Sequence, residues 1–66
     1  MSAVNAVCRG GPFHGALVRV EQEVGAVDVA DPAGGGGSAR YLITRERVWH
    51  PSSTRPFVVL VWTGEG

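Results

Sequence analysis

Phe57-Val58-Val59-Leu60-Val61-Trp62 is the longest wholly apolar run in this 66-residue chain. β-Branched and aromatic side chains pack well on an extended, half-buried backbone, so the run predicts a strand. Successive side chains of a strand point to opposite faces. Val59, Val61 and Thr63 therefore share one face, and Val58, Leu60 and Trp62 share the other. Apolar groups on both faces need cover on both. Six residues fall far short of the roughly 20 that a membrane-crossing helix needs, so no membrane partner is expected.

No stretch of the chain reads as a long amphipathic helix that could lie over such a strand. The remaining ways to cover it are to curl the sheet toward a small barrel or to pair it with another chain. The expected fold is all-β, a small curled antiparallel sheet or partly open barrel of four or five short strands with no long helix. Residues 1–66 are expected to form one domain. A chain of this size hides only about 60% of the surface its unfolded state exposes. The single Cys8 cannot add an internal disulfide, so contacts with a partner are the remaining source of stability.

Working outward, Ala3 to Cys8 forms a first candidate strand. Ala16 to about Val24 forms a clearer second one, in which Ala16, Val18, Val20 and Gln22 project one way and Leu17, Arg19, Glu21 and Glu23 the other. One face is mostly apolar and the other mostly charged, and Leu17, on the charged side, must find cover near a sheet end. Gly25 marks a bend, after which Val27 and Val29 alternate with Asp28 up to Asp31-Pro32. Tyr41 to Arg45 resumes extended structure, with Tyr41 and Ile43 on one side and Leu42 and Thr44 on the other. Arg45 to His50 fits either a continued strand or a short helical turn, and Pro51 ends it.

Two glycine-rich connections stand out. Gly10, Gly11, Pro12 and Gly15 combine residues that accept positive φ with one whose φ is fixed, a strong turn signal between the first two strands. Their expected role is to fix local geometry. Residues 33–39 contain Gly34, Gly35, Gly36, Gly37 and Ser38, a costly segment to order that predicts a mobile loop. A phosphate-binding loop would need a Lys-Ser/Thr pair and a following helix, and neither is present.

Chemistry-bearing residues are sparse. Cys8, His14 and His50 are the strongest candidate metal ligands or nucleophile and base partners, but their spacing matches no compact zinc motif. A Cys8–His14 thiolate pair lacks an inferable orienting residue or oxyanion site. Glu21 and Glu23 read as solvent-facing charges. No catalytic, cofactor-binding or metal-binding residue is assigned, no cofactor is expected, and the chain is read as a non-enzyme. Six Arg balance six Asp plus Glu, giving zero formal charge. Arg40, Arg45 and Arg47 are the nearest approach to a basic cluster, and Glu46 interrupts them, so nucleic-acid binding is not expected. Trp49, Val59, Val61 and Trp62 are the candidate interface residues, with the core as the competing place for each.

The segment Gly10-Gly11-Pro12-Phe13-His14-Gly15 resembles an early Gly-Gly-Pro-x-Asp-Gly motif of small proteins encoded by actinobacterial phages and prophages. The likeness extends loosely through the strand from Ala16, through Tyr41-Leu42-Ile43-Thr44 and through Val61-Trp62-Thr63-Gly64. His14 stands where that pattern has Asp, which removes the acid that would make an Asp turn. The resemblance implies a phage setting more than a reaction. The expected function is a structural or protein-interaction module, such as a capsid-stabilising, decoration or head–tail component that self-associates or joins a larger protein assembly. It would be made in the cytoplasm and carried in the virion. The alternatives are a small inhibitor that binds a host protein, a nucleic-acid-binding β module, and a Cys/His-dependent enzyme or metal-binding protein.

Overall fold

A computed structural model describes residues 3–64. All its elements are strands: β1 (Val4–Arg9), β2 (Leu17–Val20), β3 (Ala26–Ala30), β4 (Ser38–Val48) and β5 (Phe57–Trp62). They form one five-stranded sheet in the order β2-β1-β5-β4-β3. The expected curled antiparallel sheet is present, with one pair running parallel. Three pairs are antiparallel, while β1 and β5, far apart in sequence, run side by side in the same direction. The apolar run at 57–62 becomes the strand that joins the two hairpins, β1–β2 and β3–β4.

Every strand contributes to one interior. Ala6 and Cys8 from β1, Val20 from β2, Val27 and Val29 from β3, Ala39 and Tyr41 from β4, and Val58 and Leu60 from β5 pack together. The alternation of burial along β3 and the first half of β4 is strict, as a sheet with one packed face requires. The two edge strands line a cleft of about 320 Å³ between Val18 to Val20 and Asp28 to Ala30, so the barrel stays partly open.

Several boundaries differ from the expectation. β2 ends at Val20 instead of about Val24, because the Gln22 amide donates to the carbonyls of Val24 and Ala26 and builds a turn there. β4 begins at Ser38, so only 31–37 connect β3 to β4. That connection is tied down by Asp31, whose carboxylate accepts the backbone N–H groups of Ala33 and Gly35. The stretch after Arg45 continues as strand and ends at Val48. A bulge interrupts it: Ile43 pairs with Leu60 but Arg47 pairs with Val58, so Thr44, Arg45 and Glu46 face Val59 alone.

Candidate functional site

At one end of the barrel the Gly10–Gly15 turn is held by two aromatic side chains. The fully buried Tyr41 donates its hydroxyl to the Gly10 carbonyl at 2.7 Å and accepts the Phe13 N–H at 3.2 Å. Its ring stacks with Phe13 at a centroid separation of 6.4 Å. Trp62 lies against Gly11 so closely that a Cβ there would overlap the indole, and Gly11 also has a φ of +70°. The position that resembles the phage motif's Asp is filled by His14, whose Nδ1 accepts the Gly10 N–H at 2.6 Å. The imidazole thus supplies a turn acceptor of its own although no acid stands there. Gly10 and Gly15 both take positive φ.

The outer face of the sheet carries a second feature. Val59 is fully buried although it lies on the opposite side from the interior cluster. Its cover comes from the bulge in β4 and from a bidentate ion pair between Arg9 and Glu46, 3.1 and 2.9 Å long. Because β5 runs between β1 and β4, that pair crosses over β5 like a strap. Each partner stabilises the other's charge, holding the Glu46 carboxyl below its ordinary range and the Arg9 guanidinium above its own. At the start of β5 the Phe57 ring is buried and meets His50, with centroids 5.6 Å apart.

Around the strap lie exposed apolar side chains. Leu17 and Leu42 are each 48% exposed and Val61 is 36% exposed. Val61 pairs with Leu42 across one strand boundary, and Val7 bridges Leu17 to Val59 across two others. Directly opposed side chains in a sheet are about 5 Å apart at Cβ, so Val61 and Leu42 form one patch, while Leu17 stands apart on the edge strand β2 with the buried Val59 and the strap between them. A second ion pair, Arg40 with Asp28 at 3.1 Å, borders it.

The four candidate interface residues have separate fates. Val59 is interior and has no surface of its own to offer, whereas Val61 belongs to the outer patch. Trp62 is 38% exposed and braces the turn; Trp49 is 71% exposed just beyond the end of β4. Leu17, expected to find cover near a sheet end, finds none and stays exposed, and Leu42 is an exposed group that the sequence did not single out. The available signal was that each is apolar on an otherwise polar strand face. Nothing in the sequence pointed to an Arg9–Glu46 pair 37 residues apart.

The remaining candidates do not converge. Cys8 is buried, and loss of water pushes its thiol above the ordinary value. It forms no hydrogen bond with His14 among the described residues. Glu21 and Glu23 lie beyond the end of β2, in its turn to β3. Among the described residues no cluster of three or more His, Cys, Asp or Glu side chains is placed to hold a metal, and no helix is long and apolar enough to cross a membrane. No known protein family, curated protein or solved structure matches this chain.

Proposed function

We propose that this chain is a protein-interaction module that assembles with copies of itself through the outer face of its sheet, as a structural component of a larger particle. The observation that carries this reading is the adjoining exposed pair Val61 and Leu42 beside the Arg9–Glu46 strap, with Leu17 exposed on the same outer face beyond it. Contiguous apolar surface rimmed by polar groups is the usual mark of a contact site. Its charges favour a second copy as the occupant. Arg9 is balanced by Glu46 and Arg40 by Asp28, so two such faces meet without net repulsion, as a two-fold contact requires. The phage setting implied by the turn motif gives such a subunit a place as a capsid-stabilising, decoration or head–tail component, where repeated interfaces add burial to a small domain.

Sedimentation velocity over a micromolar to millimolar range tests the proposal. The expected result is a concentration-dependent oligomer that Leu42→Arg reduces to monomer, while Trp49→Ala, away from the patch, leaves it intact. A wild-type protein that stays monomeric over the whole range overturns self-assembly. A monomer that instead binds a single purified host protein through the same patch supports the inhibitor reading.

A further inference from the structure

The zero net charge of the chain conceals an uneven distribution. Arg9 and Arg40 are paired with carboxylates. Arg45, Arg47 and Arg55 are exposed, and among the described residues none of them forms an ion pair. The acid that interrupts them in sequence, Glu46, is already bound bidentately by Arg9 across β5. What reads as Arg-Glu-Arg in the sequence is therefore electrostatically a pair of uncompensated cations.

The fold brings the third cation and an exposed aromatic residue to the two ends of one loop. Val48 pairs with Phe57, so Trp49 and Arg55 lie one and two residues beyond the same rung of the ladder. Arg47 precedes Trp49 by two residues at the end of β4, and its Nη1 donates to the Thr44 and Glu46 carbonyls at 3.1 Å each, which fixes the guanidinium beside the bulge with its other N–H groups still available. The connecting loop is ordered by its own hydrogen bonds. His50 Nδ1 accepts the Ser52 N–H at 3.1 Å, the His50 carbonyl accepts the Ser53 N–H at 3.0 Å, and Ser53 Oγ accepts the Arg55 N–H at 3.2 Å. Trp49, at 71% exposure, stands out from this support.

We propose that the β4–β5 end of the barrel binds single-stranded nucleic acid, with Trp49 stacking on an unpaired base and Arg45, Arg47 and Arg55 contacting the flanking phosphates. Guanidinium groups match phosphate oxygens in pairs, and an exposed indole offers a sequence-tolerant stacking surface. A duplex keeps its bases stacked on each other and leaves the indole without a partner, so the single strand is favoured. Three phosphate contacts place the affinity at the weak end of non-specific binding and fix its salt dependence. For a single strand the slope of log K against log salt is about −0.7 per contact, hence about −2 here.

The test is fluorescence anisotropy of a labelled 12-nucleotide oligouridylate and the matching oligothymidylate, titrated with the full chain at several salt concentrations. Circular dichroism serves as a check that each variant is folded. Binding with a slope near −2 is expected, with single Arg→Gln changes at 45, 47 or 55 each reducing the slope by about 0.7. Trp49→Ala should weaken binding roughly fivefold or more and Trp49→Phe less, while Arg19→Gln, on β2, should change nothing. No binding at low salt, or binding that the folded Arg45/Arg47/Arg55 triple variant retains, overturns the proposal. Equal displacement by a poly-glutamate peptide of the same charge also overturns it, and points to an acidic protein instead.

Discussion

At the scale of single residues, the turn from Gly10 to Gly15 shows how one missing methyl group can decide a local structure. Gly11 and Gly15 both take positive φ, but only Gly11 lies under an aromatic ring; around Gly15 there is open space. Backbone strain alone costs a side chain there about 1 kcal/mol or somewhat more. Overlap with a packed neighbour adds about 1–3 kcal/mol. Gly15→Ala should therefore lower the melting temperature by several degrees, and Gly11→Ala by roughly two to three times as much. Equal losses in the two variants, measured by thermal melts followed by circular dichroism, would show that the Trp62 contact contributes nothing. The turn was legible because Gly-Gly accepts the positive φ that Gly10 and Gly11 adopt and the following Pro fixes its own φ. Its anchors were not, since Tyr41 and Trp62 read as ordinary β residues until the fold brings them to the turn.

At the scale of elements, β5 was readable and β4 only half so. Phe57 to Trp62 announced itself by composition, and its need for cover on both faces is met within the chain from Phe57 to Leu60, by the interior on one side and the bulge and strap on the other, while Val61 and Trp62 stay exposed. Arg45 to His50 defeated a periodicity reading because a bulge with two extra residues breaks the alternation that identifies a strand. Thr44 holds that bulge together, donating its hydroxyl to the Val59 carbonyl at 2.8 Å and accepting the Glu46 N–H at 3.1 Å. The strap it presents is electrostatic and exposed, so its contribution depends on solution conditions. Glu46 has its carboxyl held below the ordinary 4.5 by Arg9. The stabilisation is therefore present above that value and is lost as pH falls below it. Glu46→Gln should be less stable than the wild type at neutral pH and low salt, by a margin that narrows in high salt and closes as pH falls through the lowered titration of the Glu46 carboxyl. Urea melts at two pH values and two salt concentrations measure it, and a margin insensitive to both would assign Glu46 a packing role only.

At the scale of the whole molecule, the question is what a domain this small does with Leu17, Leu42 and Val61 on its outer face. Apolar groups left in water contribute nothing to folding, yet each becomes stabilising once a second copy covers it. Folding and association are then linked, because a contact made only by the folded form stabilises it in proportion to the logarithm of its saturation. The wild-type melting temperature should accordingly rise as protein concentration is raised across two orders of magnitude. Leu42→Arg tests this without touching the core. Exposed substitutions change monomer stability by only about 0.5 kcal/mol in either direction, so the variant should melt near the wild type at the lowest concentration. It should then fail to follow it upward, since an arginine carried into the apolar patch loses its hydration without gaining a carboxylate. Parallel curves for the two proteins would mean that the outer face takes no part in assembly. A variant that melts far lower at every concentration would mean that Leu42 supports the fold of the isolated chain.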